Sequence, residues 1–383
     1  MQILKGARTA ITCAFLGVSY NALAANQPTF PTGHNPASEI DLKYEDMDYL
    51  LEKTVLPLGK SDHRPAYKPD ASTGTRVIKD NPKPSRLEGN RIMYHFIETD
   101  EQKMVVREVR DTLLALPDRI DLAKLNRNEQ LAYWLNLHNA IVIAEVADRY
   151  PVVLLDRLYG DCEKKPKRFA CERQFSVMGQ KISLTDIRQH VLSNWNDPVV
   201  IYGFFMGAVG TPDIRTKAFT GDSVYADLED NAVAFVNSVR GTRMSGDRRV
   251  RVSEYYKIVA QKFPVFERDI LEHLKKYARG DFRRQLDWVE EVDPVINDWY
   301  IADLFNGNVT GPDGANFISD RGNGLSSGKY PPHVHRLLQG VTERHKRRRG
   351  IVDIETVEHG TSEEMDDEIA VAPQTPEEAP EGN

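Results

Sequence analysis

The chain has 383 residues, room for one large domain with extensions or for two modest ones. Its 40% hydrophobic and 28% charged fractions are ordinary for a soluble globular protein. The formal charge of −7 is carried by the C-terminus, where eleven acidic residues lie between Asp353 and Glu381 with no Lys or Arg among them. Without that tail and the two N-terminal cations, Lys5 and Arg8, the remainder carries +2, which excludes a nucleic-acid partner on electrostatic grounds.

Met1–Ala24 has Lys5 and Arg8, an apolar segment around residues 9–18, and Ala22-Leu23-Ala24. This three-part layout predicts a signal peptide cleaved after Ala24, and so a periplasmic or secreted protein. The alternative, a retained anchor, is opposed by the short apolar stretch and the polar residues that follow it. Cys13 lacks the preceding small residue that lipid attachment needs. No later apolar run approaches the length of a membrane span, so no integral span is expected after cleavage.

In the mature chain, residues 26–38 are rich in Pro, Gly and Asn and are expected to be a mobile lead-in. Helical spacing then predicts a helix over 41–56 with Asp41 as N-cap. A Pro-rich loop follows over 59–85, then a short extended segment near 89–97. A helix over 99–116 should be capped by Thr99 and stopped by Pro117. The longest pattern is 127–150, RNEQLAYWLNLHNAIVIAEVADRY, apolar on every side and therefore expected inside the domain. It carries Asn136, His138 and Asn139 at its centre, and each needs a hydrogen-bond partner if buried.

Beyond Pro151, a helical turn leads to Cys162 and Cys171, which bracket EKKPKRFA. One close pair in an exported chain predicts a local disulfide closing a basic loop; two free thiols are the alternative. Their spacing is too wide for a metal knuckle and no His lies nearby. A hairpin is predicted over 175–184 around Met178-Gly179-Gln180, then a helix over 186–195 capped by Ser183 or Thr185. The apolar run VVIYGFFM, 199–206, reads as a buried strand, and 207–212 as a loop. Helices are expected over 226–239, 254–263 and 265–277, with a strand over 248–252. Segments 281–289, 294–305 and 332–345 complete the ordered part, and an acidic tail from about Thr361 reads as disordered. His333, His335 and His345 form no paired metal set, and Lys346–Arg349 is a basic run beside the tail.

Trp134-Leu135-Asn136-Leu137-His138-Asn139-Ala140 resembles the R-x-A-F-W-I-N-L-Y-N-A helix of the domain-of-unknown-function 547 family. Residues 175–192 are similar to that family's hairpin and following helix, 197–214 to its D-P-R-I-H-F-A-L-x-C-G-A-x-S-C-P-x-L block, and 226–237 to a helix ending in F-I-N. The order and spacing of four blocks, spanning roughly 120–263, make the resemblance specific. This chain departs from it at the reactive positions. Met206 and Thr211 stand where the pattern carries cysteines, Ile201 or Tyr202 where it carries a His, and His138 where it carries Tyr. A thioether cannot act as a thiolate, and a threonine hydroxyl needs an activating base.

The resemblance and these losses together imply an exported protein of unknown molecular function, with a non-catalytic binding or scaffold role. The alternative is a hydrolase- or transferase-like enzyme that uses Thr211 with His138 and His190. Candidate binding residues are Trp134, Asn136, His138, Asn139, Gly207, Gly210 and Thr211, the three last as a turn able to offer N–H groups to an anion. A lone imidazole on an apolar helix is ordinarily a satisfied core group, so no catalytic residue is assigned first. Neither a metal nor a cofactor is implied, and the expected partner is an unknown ligand or an envelope protein. The expected fold class is α+β, mostly helical with a small, mainly antiparallel sheet around one buried helix. Its layout would be a signal peptide (1–24), an extension with one helix and a Pro-rich loop (25–90), a core (91–290), C-terminal helices with a Gly-rich loop (291–350) and an acidic disordered tail (351–383).

Overall fold

The first helix starts later than its apolar spacing predicts. α1 spans Glu45–Thr54, because Tyr44 still holds a non-helical backbone (φ −118°, ψ 40°), and Asp41 pairs with Lys43 instead of capping. Glu45, Asp46 and Asp48 place negative charge at the helix's positive end. The computed structural model describes residues 28–61, 63–66, 81, 83–304 and 306–307. The leader with Cys13, most of the Pro-rich loop, His333, His335, His345, the basic run and the acidic tail lie outside these.

β1 (Val55–Leu56) pairs antiparallel with β2 (Arg91–Ile92), and a 3-10 turn follows at Tyr94–Phe96. α2 (Asp100–Arg119) begins at a reciprocal capping box between Thr99 and Gln102. Pro117 does not stop it. That residue lacks the N–H that would reach the Leu113 carbonyl, and the carbonyl instead accepts the Tyr133 hydroxyl at 3.2 Å. α3 (Arg127–Arg149), capped by Asn126, is the predicted interior helix, buried almost without interruption from Glu129 to Ala147.

β3 (Phe175–Val177) and β4 (Gln180–Ile182) form the predicted hairpin. Met178 and Gly179 both have positive φ, 51° and 71°, the conformation a two-residue hairpin turn requires. Ser183 caps α4 (Leu184–Asn194) through a second capping box, with Asp186. α5 covers Val224–Val236. β5 (Thr242–Met244) then pairs antiparallel with β6 (Arg249–Ser253).

The predicted helix over 254–263 divides into α6 (Tyr255–Ile258) and a 3-10 turn (Ala260–Lys262) before α7 (Phe266–Tyr277) and α8 (Gly280–Gln285). β7 (Glu291–Ile296) joins β6 in parallel, Val250 opposite Val292. It is an edge strand and therefore tolerates Pro294. The fold class is the expected one: α+β, largely helical, with small and mostly antiparallel sheets. No helix among the described residues is long and apolar enough to cross a membrane.

Two further expectations are overturned. The run 199–206 is not a strand. Asp197 accepts the Val199 N–H, Pro198 opens the first turn, and Pro198–Gly203 winds into a buried 3-10 helix. The described part of the lead-in, residues 28–38, is docked on the domain rather than free. Thr29 exchanges two hydrogen bonds of 2.8 Å with the Gln180 side chain, Gly33 O accepts from Gln130, and Phe30 packs edge-on against Trp134 at 4.8 Å.

Replacing Tyr133 with Phe should orphan the buried Leu113 carbonyl and lower the unfolding free energy in urea by about 1–3 kcal/mol. An unchanged midpoint would mean that this carbonyl finds another donor.

Candidate functional site

α3 presents two of its asparagines, Asn136 and Asn139, to buried backbone that has no strand partner. Asn136, wholly buried, donates through Nδ2 to Phe219 O at 2.8 Å and accepts the Phe219 N–H at 2.9 Å. Asn139 donates to Gly203 O and accepts the Phe205 N–H, both at 3.0 Å. Glu129, on the same stripe as Asn136, accepts the Gly221 N–H at 3.1 Å. Gly203 is glycine because a Cβ there would lie 2.6 Å from Leu135 on α3.

The apolar run is completed the same way. Ile201 O accepts the Tyr255 hydroxyl, Tyr202 O accepts from Asn231 at 3.0 Å, and Met206 O accepts the Tyr159 hydroxyl at 2.8 Å. Side chains here stand in for a β ladder.

Three N–H groups of the Gly207–Thr211 turn are spent on the protein's own carbonyls. Val209 donates to Tyr300 O (2.9 Å), Gly210 to Asp298 O (2.8 Å) and Thr211 to Ala208 O (3.2 Å), while Gly207 O accepts from Ala302 at 2.7 Å. A Cβ at Gly210 would sit 2.7 Å from Asp298 O, which accounts for that glycine without a ligand. Thr211, 2% exposed, donates its hydroxyl to Ala208 O at 2.8 Å.

The two histidines are elsewhere. His138 bonds Asn139 Oδ1 through Nδ1 at 3.1 Å and packs against Phe204. Because that amide oxygen can only accept, Nδ1 carries the hydrogen and Nε2 the lone pair. His190 sits among Phe30, Trp134 and Trp195, its ring 4.8 Å, 4.9 Å and 5.8 Å from theirs, with Nδ1 accepting from Asn194 at 3.2 Å. No hydrogen bond among the described residues joins Thr211 to either imidazole. Cys162 and Cys171 form the predicted disulfide.

Residues 122–236 match the family described as "Protein of unknown function, DUF547". This segment is a DUF547 region. No curated protein and no solved structure matches the chain. The DUF547 region contains α3, α4, α5, both asparagine clamps and all the backbone those clamps hold.

Residues from outside the DUF547 region close its far end with a buried ionic network that sequence reasoning missed. Arg240 donates to Asp213 Oδ2 at 2.5 Å and to Thr211 O at 2.6 Å, and its own N–H reaches Glu88 Oε2 at 2.9 Å. Asp298 accepts from Ser85 at 2.6 Å, and Asp303 accepts the Tyr94 and Gly307 N–H groups. Burial pushes the Glu88 carboxyl up to about 7, against the hydrogen bond from Ser61, and holds Arg91 down to about 10. In sequence these residues read as surface charge, and nothing in their spacing distinguishes them.

Burial also lowers His138 to about 3, with Arg188 adding to the effect, and His190 and His273 to about 4, helped by Arg127 and Lys276. All three are depressed from an unfolded value near 6.5, so their contribution is complete above that pH and is lost as pH falls toward 4. Glu88 runs the other way: its folded value is raised, so its contribution is complete below about 4.5 and lost as pH rises through 7. Glu129 and Asp298, also raised by burial, act in the same sense as Glu88 and offset part of the histidine effect. The unfolding free energy from urea titrations should therefore fall between pH 6.5 and 5, by roughly 1–3 kcal/mol over the whole window. A flat profile across that window would show that the histidines protonate in the folded state.

Proposed function

We propose that this is an exported protein, periplasmic or secreted, that acts as a non-catalytic binding or scaffold member of its family, with an unidentified ligand or an envelope protein as partner. The observation that carries this reading is the Thr211 hydroxyl, buried and committed to Ala208 O. A nucleophile needs a base within about 3 Å of its proton, and neither His138 nor His190 hydrogen-bonds to Thr211. The amides of Asn136 and Asn139 are likewise committed to backbone. Trp134, Asn136, His138, Asn139, Gly207, Gly210 and Thr211 then shape a frame, and the partner is met by surfaces built on it. Export is supported by the Cys162–Cys171 disulfide, which persists in oxidising compartments and is rare in a reducing cytosol.

The purified chain, freed of residues 1–24, should hydrolyse model amides and esters no faster than buffer does. Turnover that disappears on Thr211→Ala or His190→Ala would overturn the proposal in favour of the hydroxyl–imidazole enzyme.

A further inference from the structure

α4 carries a guanidinium into the interior where no carboxylate meets it. Arg188 is 6% exposed. Its Nη2 donates to Thr185 Oγ1 at 3.0 Å, and that hydroxyl is itself spent on Ala170 O at 2.7 Å. Nη1 is completely buried, and no group among the described residues accepts from it. Asp186, two positions earlier, is committed to Arg173 at 2.9 Å and to its own capping box with Ser183.

The groups in electrostatic range of Arg188 are His138, Tyr159 and Tyr255. The two phenols donate to Met206 O and Ile201 O and stay protonated, since burial raises both. They supply no negative charge. His138 Nε2 is likewise buried and without a hydrogen-bond partner among the described residues. A buried cation is costly unless an opposite charge or a full set of acceptors meets it, and an orphaned buried donor commonly marks an ion or water.

We propose that Arg188 and His138 together hold a small monovalent anion, a halide or a short carboxylate such as formate, in the interior of the domain. Arg188 supplies the charge and the Nη1 donor. His138 takes one proton from solvent onto Nε2 as the anion enters and donates it to the anion, so the ion pair enters as anion plus proton. Arg188 is the charged group that opposes protonation of His138, and a bound anion would cancel that effect. Binding therefore tightens as pH falls. Both residues lie in the DUF547 region, but the site is independent of whether the protein has catalytic activity.

The test is thermal unfolding of the full chain at constant ionic strength, in sodium chloride or formate against gluconate, which is too large to enter. The expected result is a saturable rise of about 5 °C in chloride or formate at roughly a hundredfold excess over Kd, larger at pH 6 than at pH 8. A response to formate alone supports the site as one for carboxylates. Arg188→Met should abolish the salt-specific rise, and its survival in that variant overturns the proposal. If Arg188→Met does not fold, crystals of the unmodified chain in sodium bromide decide the matter. An anomalous peak beside Arg188 Nη1 is expected. A water there, or equal stabilisation by gluconate, overturns the proposal.

Discussion

Each amide of Asn136 and Asn139 gives one N–H and takes one, as a neighbouring strand does for the residue opposite it in a sheet. Two buried segments, 198–206 and 218–221, depend on this, because neither lies in a ladder that would satisfy its peptide groups. A buried peptide group left unpaired costs about 1–3 kcal/mol, so four of them rival the whole stability of a domain. A rigid helix is the right support for such clamps. Three residues apart on α3, the amides stay neighbours on one side, and neither can drift without moving the helix.

The same device recurs farther along. Asn237, just past α5, donates to Tyr277 O at 3.0 Å and accepts the Arg279 N–H at 2.8 Å, the spacing with which Asn139 holds Gly203 and Phe205. Asn90 joins Leu58 N to Ile214 O. Arg240 and Asp213 then lock the turn after the apolar run from the other side. In this chain the asparagines and tyrosines do much of the work that longer strands do elsewhere. That is why a domain with sheets of only two and three strands can bury so much irregular backbone.

How far this was legible in the sequence follows from the range of each interaction. α3 is apolar on all sides, so its burial is visible within its own 23 residues. The hairpin shows itself through Met178-Gly179, and α2 and α4 through their capping residues, all local chemistry. The run 199–206 reads as a strand because an all-apolar segment looks alike as buried strand or buried 3-10 helix. What decides it is hydrogen bonding to Asn139, Tyr159, Asn231 and Tyr255, tens of residues away. Pro117 reads as a helix stop for the same reason, since the bond it leaves unmade at Leu113 is replaced by one from Tyr133, 20 residues on from that carbonyl. Glu88 and Arg240 meet across 152 positions, and no period records that. The polar residues at the centre of α3 are visible in the sequence, but their chemistry is set by these distant partners.

The most direct test is native-state hydrogen exchange at two amides, those of Phe205 and Phe219. Both lie outside any regular helix or strand, and each donates to an asparagine of α3. If the clamps hold the interior together, both amides should exchange only through global unfolding, with protection equal to that of the slowest amides in α3 itself. Exchange at rates typical of loops, while α3 stays protected, would contradict the account.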